Sequence, residues 1–207
     1  MRLILASASP ARLQTLQAAG VDVSVHVSGV DESSVTEGEP VALASALARL
    51  KGEAVLAERG TASDAAIIAC DSVLWIDGEI QGKPHTDAEV RARWQRMRGR
   101  TGTLITGHHL VVVRAGEVTR VTQAASTSVT FADVTDAELD AYVATGEPHQ
   151  CAGAFTIDGY GGAFVEGLEG DPHNVVGISL PLLRRMLAHA GLSWVSFWRP
   201  TGTLERP

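Results

Sequence analysis

Charged residues in apolar surroundings are the features of this sequence that could do chemistry. Asp71 lies in the middle of the apolar, β-rich segment Ala65–Ile76. A carboxylate there is unfavourable unless it is paired, binds a metal or faces a cleft at a strand break, so Asp71 indicates a functional site. Lys51 falls within the apolar stripe of a predicted helix. A lysine at such a position either extends its ammonium to the rim of the core, which is the simpler interpretation, or meets an anion.

The start of the chain predicts a strand, a tight polar loop and a helix N-terminus. Leu3–Leu5 is a short apolar run, Ser9 is a favourable N-cap, and Pro10 fits the first helical position. The free N–H groups of a helix start suit a phosphate, to which Ser7 and Arg12 would add a hydroxyl and a guanidinium. The same pattern is typical of an ordinary capped strand-to-helix turn, which spacing alone favours.

Three further segments carry candidate residues. Asp31 and Glu32 follow a half-buried strand, where adjacent acids are typical of a solvated loop. Lys83 is held on a rigid loop by the glycine before it and the proline after it. The glycine-rich stretch 153–165 allows close backbone approach, but its spacing is not that of a dinucleotide-binding fingerprint.

The seven histidines lack metal-ligand spacing, which predicts surface or core roles for them.

Composition excludes several classes of protein. The 207 residues are 45% hydrophobic, so a core without disulfides is feasible, and the two cysteines have no paired spacing. The net charge of −7 argues against binding a nucleic-acid polymer, although a small anion could still meet a local cluster of positive groups. Neither a secretory signal nor a membrane-length apolar run is apparent, so we expect a soluble cytoplasmic protein with no membrane partner.

Strands and helices alternate in a way that predicts a mixed α/β fold. Strands are expected at 21–27, 65–76, 104–114 and 118–131, and helices from Pro40 to about Glu58, from Thr86 to about Arg98, after Thr135, and over 182–190. The helix that begins near Thr86 is rich in arginine. This is typical of a solvated basic face, and it would also suit an anionic partner or the contact of a homodimer.

Taken together, these segments resemble the Maf family of nucleoside triphosphate pyrophosphatases over nearly the whole chain. No single motif is decisive, but their order and spacing are specific. The matching segments are Leu5 to Arg12, Asp31-Glu32, the helix of Lys51, Cys70-Asp71-Ser72, Gly82-Lys83-Pro84, Thr101 to Gly107, Gly153-Ala154-Phe155 and Val175-Val176-Gly177.

The resemblance implies both a fold and an activity. It implies one domain over residues 1–207, with a long twisted sheet around a central cleft, and it allows two lobes either side of the cleft. It implies hydrolysis of a standard or non-standard nucleoside triphosphate between the α and β phosphates, with Mg²⁺ or Mn²⁺ as cofactor. The alternative is a nucleotide-binding regulator of septum formation with little turnover.

The resemblance also assigns roles to individual residues. Ser7, Arg12, Lys51 and Lys83 would bind the polyphosphate. Glu32 and Asp71 are hard oxygen ligands of the kind that Mg²⁺ takes alongside substrate phosphates. The alternative role for Asp71 is that of a base that activates the attacking water.

The chain departs from the family pattern at several places. Ala11 replaces the first of two arginines that usually follow Ser-Pro, Gly102 stands where a histidine is common, and Gln150-Cys151 replaces an Asp-Lys pair. Asp158 occupies the position of a glutamine found in pyrimidine-specific members.

Asp158 leads to an expectation about the base. An ionised carboxylate only accepts hydrogen bonds, so it suits guanine, whose N1–H and N2 amino group lie side by side. Thymine and uracil offer one N–H between carbonyls, which a carboxylate would repel. We therefore expect a guanine-type triphosphate to be preferred over dTTP and UTP. If Asp158 faces solvent or caps the turn at Gly159, the preference would be broad.

Overall fold

The computed structural model describes residues 1–199, and its centre is a seven-stranded mixed sheet. The strands are β1 (Arg2–Leu5), β2 (Val23–Val25), β3 (Ala65–Ile76), β4 (Glu79–Gln81), β5 (Thr101–Arg114), β6 (Glu117–Phe131) and β7 (Val165–Glu169). Their order is β2-β1-β3-β5-β6-β7, and β4 also pairs with β3. β1 pairs in parallel with β2 and β3, whereas the other pairs are antiparallel.

Helices lie on both faces of this sheet, which confirms the expected mixed α/β class. They are α1 (Pro10–Ala18), α2 (Pro40–Arg59), α3 (Asp87–Met97), α4 (Asp136–Ala144), α5 (Pro172–Val176) and α6 (Leu180–His189). Short 3₁₀ turns occupy Glu32–Ser34, Glu147–Gln150, Ala152–Ala154, Tyr160–Phe164 and Trp194–Phe197. Within residues 1–199, no helix combines the length and the apolar character that crossing a membrane requires.

Several element boundaries differ from the sequence-based expectation, and two of these differences have identifiable reasons. β2 is limited to Val23–Val25 because only Leu3 to Leu5 of the neighbouring strand pair with it. α6 begins at Leu180 rather than after Pro181, because the Ser179 side chain accepts a hydrogen bond from the backbone N–H of Leu182 and caps the helix.

The two long strands β3 and β5 pass through two separate hydrophobic cores on one face of the sheet. The first core contains Ile68 and Cys70 of β3 together with residues of β1, α1 and α6. The second contains Leu74 and Ile76 of β3, with Trp94 of α3 at its centre. Asp71 and Ser72 therefore lie at the junction between the two cores.

The same junction coincides with a gap at one edge of β3. β1 pairs with β3 only as far as Ile68, and β4, on the same edge, begins to pair at Leu74. Between these positions β3 has, among residues 1–199, a neighbouring strand only on its β5 side. We call this gap the cleft; the carboxyl end of β1 borders it on one side and β4 on the other. A parallel strand end of this kind is a common place for a ligand.

Helix α2 lies unusually close to the sheet, and two glycines explain this. A Cβ on Gly107 of β5 would lie 2.2 Å from the carbonyl oxygen of Ala44, and a Cβ on Gly52 would lie 2.6 Å from Cδ2 of His109. No larger residue fits at either position. Because Gly107 is the cross-strand partner of Asp71, this contact brings α2 directly over the junction.

Candidate active site

Three charged residues meet on the α2 face of the junction. The Lys51 Nζ atom lies 2.5 Å from Oδ1 of Asp71 and 3.0 Å from Oε1 of Glu32. The side chains of Lys51 and Asp71 are 11% and 14% exposed, whereas that of Glu32 is 51% exposed. Lys51 therefore meets anions at the cleft instead of extending to open solvent. Glu32 belongs to the same cluster, although the sequence pattern alone favoured a solvated loop for it.

Arg12 is held on the other face by three separate segments. Its Nε donates to the carbonyl oxygen of Gly177 at 2.8 Å, and its two terminal nitrogens donate to Oγ of Ser7 and Oγ of Ser72, each at 3.1 Å. Ser9 caps α1 by accepting from the backbone N–H of Arg12. These bonds fix the guanidinium while leaving further N–H groups without a partner in residues 1–199.

The alternation of side chains along β3 explains how the two clusters come together. Asp71 points to the α2 face and Ser72 to the α1 face, because successive residues of a strand point to opposite sides. Since the gap exposes this edge of β3, groups from both faces can reach it. The buried thiol of Cys70 reports the same convergence: burial raises its pKa to about 12, and Arg12, Asp71 and Lys51 are the charges that act on it.

A buried histidine supports the Arg12 side of the cleft. His108 is fully buried; its Nε2 accepts from the backbone N–H of Ser179 at 2.8 Å, so Nδ1 carries the proton and donates to the carbonyl oxygen of Thr106 at 3.0 Å. Burial lowers its pKa to about 4. His108 is therefore a neutral core residue, as the histidine spacing predicted.

Lys83 approaches the gap from the opposite side. The β3–β4 register pairs Leu74 with Gln81, and extending it by two residues would place Lys83 opposite Ser72. Its loop is fixed by Arg93 of α3, which donates to the carbonyl oxygens of Gly82 at 2.5 Å and Lys83 at 3.5 Å. The backbone N–H of Gly153 also donates to Gly82 at 3.1 Å.

Asp158 lies in the neighbourhood of Cys151, as Lys83 does. It is exposed, and within residues 1–199 its side chain makes no hydrogen bond, so it does not cap the turn at Gly159. Both Asp158 and Lys83 act electrostatically on the half-buried thiol of Cys151, whose pKa is raised to about 11, chiefly by burial. The candidate residues thus form two clusters at the junction and a third group across the gap.

The amino-acid sequence that forms this arrangement matches one known family. A family model described as "Maf-like protein" matches residues 2–190. The chain belongs to the Maf family.

Curated relatives of this Maf chain share one name with each other. It is 53% identical to a protein of Saccharopolyspora erythraea, covering 97% of this chain and 98% of the relative. It is 56% identical to one of Salinispora tropica, covering 100% and 92%. Both are named "Nucleoside triphosphate pyrophosphatase". Among solved structures, a "Nucleoside-triphosphatase / dITP/XTP pyrophosphatase" from Mycobacterium abscessus is 16% identical with a TM-score of 0.41, covering 92% of this chain and 94% of that one.

Several residues of the Maf site were missed by sequence reasoning. Ser72 and Thr106 connect Arg12 to α5, since their hydroxyls lie 2.8 Å apart and Thr106 donates to the carbonyl oxygen of Asn174 at 3.1 Å. Arg93 is one of several arginines on α3, so the sequence did not distinguish it from the others. A polar residue beside Asp71 was the available signal for Ser72, whereas nothing local marks Thr106 or Arg93.

The packing of this Maf chain explains why a histidine does not fit at one of the positions that depart from the family pattern. A Cβ at Gly102 would lie 3.1 Å from Cδ1 of Leu74 and 3.3 Å from the carbonyl oxygen of Trp75. Gly102 is buried against β3, so a histidine there would need the strand or the core to move.

The acidic groups fit a magnesium-type ion that is shared with a substrate. Glu32 and Asp71 both contact the Lys51 ammonium, so an ion held by both carboxylates would take the place of that ammonium between them. Residues 1–199 contain no group of three or more histidine, cysteine or acidic side chains that could hold a metal by themselves. Mg²⁺ is usually bound by one or two carboxylates together with phosphates and water, so two carboxylates are a sufficient protein contribution.

Proposed function

We propose that this Maf protein is a nucleoside triphosphate pyrophosphatase, a hydrolase that splits the α–β anhydride to give a nucleoside monophosphate and pyrophosphate. The observation that carries the proposal is that Lys51, Asp71 and Glu32 on one face of β3, and the Arg12 cluster on the other face, lie beside the same gap in the sheet. The names of relatives at about half identity over almost the whole chain support it.

The cationic residues have a common role in this proposal. Ser7, Arg12, Lys51 and Lys83 bind the polyphosphate and stabilise negative charge on the pyrophosphate leaving group. Arg12 is suited to this because its contacts to Gly177, Ser7 and Ser72 hold the guanidinium in place before the substrate arrives. Little reorganisation is then needed during the reaction.

Asp71 is the residue closest to the chemistry. As a base, it would take a proton from the attacking water while Lys51 holds its carboxylate in position. As a ligand, it would hold Mg²⁺ or Mn²⁺ together with Glu32. When bound, such an ion supplies Lewis-acid polarisation of a phosphoryl oxygen.

Asp158 is the proposed residue for base selection. Exposure by itself would favour a broad preference, but this carboxylate has no hydrogen-bond partner within residues 1–199 and acts on the same thiol as Lys83, so it is available to accept hydrogen bonds from a guanine-type edge. The partner is a single nucleotide and not a nucleic-acid polymer, since the net charge is −7 and the cationic residues that would bind phosphate are clustered at the candidate site.

We propose that the protein is cytoplasmic and that it forms a homodimer through the arginine-rich helix α3. We also propose one domain with two lobes, because β3 and β5 run through both cores.

A regulator with little turnover is the less favoured function. The relatives are named for hydrolysis, and a largely buried carboxylate at Asp71 is a group that simple nucleotide binding does not need.

The deciding experiment measures products from a panel of nucleoside triphosphates with Mg²⁺ or Mn²⁺. We expect pyrophosphate and a nucleoside monophosphate in equal amounts, resolved by ³¹P NMR. Release of orthophosphate and a diphosphate would contradict the assigned bond. Tight nucleotide binding without turnover would favour the regulator.

A further inference from the structure

A single carboxylate lies at the centre of the glycine-rich segment that carries Asp158. Glu147 Oε1 accepts hydrogen bonds from the Tyr142 hydroxyl at 3.0 Å, the Thr156 hydroxyl at 2.5 Å and the backbone N–H of Gly161 at 2.9 Å. Its Oε2 accepts from the backbone N–H of Tyr160 at 2.9 Å. Residues 156–161, which we call the recognition loop, are thus wrapped around one side chain.

The charge of Glu147 is well suited to this position. Burial opposes ionisation, but the hydrogen bonds from Thr156, Gly161, Tyr160 and Tyr142 outweigh it and lower the pKa of Glu147 below its ordinary value. Hydrogen bonds to an ionised acceptor are about twice as strong as neutral ones. The carboxylate therefore holds two backbone N–H groups that would otherwise need other partners.

The glycines of the recognition loop are required by the same arrangement. A Cβ at Gly159 would lie 2.2 Å from Glu147 Oε2, and one at Gly161 would lie 2.5 Å from the Tyr142 hydroxyl oxygen. Neither residue has a positive φ that would itself demand glycine. These glycines are explained by close approach to Glu147 and Tyr142.

The recognition loop is tied to the phosphate-binding side of the cleft. Gly153, a few residues before the loop, donates to Gly82 beside Lys83 at 3.1 Å. Cys151 lies close enough to Glu147, Asp158 and Lys83 for all three charges to affect its thiol. A displacement of the loop would therefore move Asp158 relative to Lys83.

We propose that Glu147 is a positioning residue for nucleoside recognition, which fixes residues 156–161 so that Asp158 is held beside the Lys83 side of the cleft. This inference rests on the proposed function, because it assigns the nucleoside moiety of the triphosphate to the recognition loop. Glu147 has no contact with Lys51, Asp71 or Arg12 among the described residues, so it acts on binding of the nucleoside and not on the reacting phosphates.

The test compares Glu147→Gln with Glu138→Gln as a matched control. Glu138 also accepts hydrogen bonds, from the backbone and hydroxyl of Thr135, but it caps α4 and does not touch the recognition loop. Three quantities are measured: amide hydrogen exchange at Tyr160 and Gly161, KM and kcat for GTP, and competitive inhibition by inorganic tripolyphosphate, which lacks a nucleoside.

In Glu147→Gln we expect exchange at both amides to accelerate, KM for GTP to rise about tenfold, and kcat to change by less than about threefold. The inhibition constant of tripolyphosphate should stay as in the wild type, and Glu138→Gln should leave all three quantities unchanged.

Two results would overturn the inference. One is an unchanged KM for GTP in Glu147→Gln. The other is a parallel loss of GTP and tripolyphosphate binding, which would indicate a general effect on the fold. A wild type that releases no pyrophosphate overturns the proposed function instead, and the amide exchange then still shows whether Glu147 holds the loop.

A second variant covers the case in which Glu147→Gln fails to fold. Gly159→Ala keeps the charge of Glu147 but places a methyl group 2.2 Å from Glu147 Oε2, which must then move. We expect the same increase in KM with unchanged tripolyphosphate inhibition. Wild-type KM in this variant would contradict the inference.

Discussion

At the scale of single residues, the site is defined by how each charge is partnered. Asp71 is contacted by Lys51, which in turn contacts Glu32, so one ammonium bridges a largely buried carboxylate and a half-exposed one. Arg12 uses its partners differently, since all three are neutral oxygens. Its positive charge is therefore not cancelled by a neighbouring acid and is available to a phosphate.

Replacing Asp71 by asparagine should remove turnover while preserving the fold. The change is nearly isosteric, but it removes the charge that base action or metal binding needs, so we expect kcat to fall by at least about 10²-fold. The matched control is Asp77→Asn, at the turn that follows the same strand, where the carboxylate only pairs with exposed Arg100. Pyrophosphate release and circular dichroism are measured for both. Activity within a few-fold of wild type in Asp71→Asn would reject the assignment.

Asp158→Gln tests the selection of the base. Glutamine can both donate and accept, so it suits a pyrimidine edge better than an ionised carboxylate does. We expect the wild type to prefer GTP over dTTP and UTP, and the variant to shift toward the pyrimidines. The measurement is kcat/KM for the three nucleotides in both proteins. An unchanged ranking would show that Asp158 does not contact the base.

At the scale of elements, the position of α2 is set by glycine. Helix α2 supplies Lys51, and its backbone at Ala44 lies against the bare Cα of Gly107. Gly107 is the cross-strand partner of Asp71. The close contact between Ala44 and Gly107 therefore sets the distance of Lys51 from the Asp71 carboxylate. The α3 helix has a similar role for Lys83, through the bonds from Arg93 to its loop.

Gly107→Ala should therefore damage both stability and activity. The added methyl would lie 2.2 Å from a backbone oxygen, which cannot move without shifting α2. Overpacking of this kind costs about 1–3 kcal/mol, and the shift should also separate Lys51 from Asp71. Gly167→Ala in β7 is the control, because its nearest neighbour would be Thr130 Cβ at an ordinary 3.8 Å. Urea unfolding and kcat/KM are compared. Equal behaviour of the two variants would contradict the role given to Gly107.

At the scale of the whole molecule, the candidate functional site lies at the boundary between the two hydrophobic cores that β3 and β5 pass through. β3 and β5 serve both, so the polar residues at their midpoints are surrounded by apolar packing on each side. His108 is one of these midpoint residues, buried and neutral, with Arg12 and Asp171 as the nearest charges that affect it. Its protonation is therefore coupled to the stability of the entire fold.

Stability should fall as the pH decreases from about 6.5 to about 4. Unfolded His108 binds a proton near its ordinary pKa of 6.5, whereas burial holds the folded pKa at about 4. The unfolded state binds more protons throughout this window, so its free energy drops relative to the folded state, by about 3 kcal/mol in all. The check is urea unfolding of the wild type and His108→Gln across this pH range. The stability advantage of the wild type should shrink toward low pH, and a constant difference would contradict the prediction.

The sequence by itself determined the elements and most of the chemical groups. Apolar runs and caps predicted β1, β3, β5 and β6, because these signals are local to each segment. Asp71 stood out for the same reason, as a carboxylate within an apolar strand. The family resemblance then added roles for Lys83 and Asp158 that no local signal provided.

Only the tertiary structure decided which of these groups meet. The gap beside Asp71 exists because β1 stops pairing at Ile68 and β4 starts at Leu74, and no single segment encodes that pairing. The contact between Lys51 and Asp71 depends on Gly107, which is 36 residues further along the chain than Asp71. Glu147 was missed because an acid after a helix is normally solvated, and its role depends on a loop that folds back over it. Contacts between distant segments are set by packing and register, which local patterns do not contain.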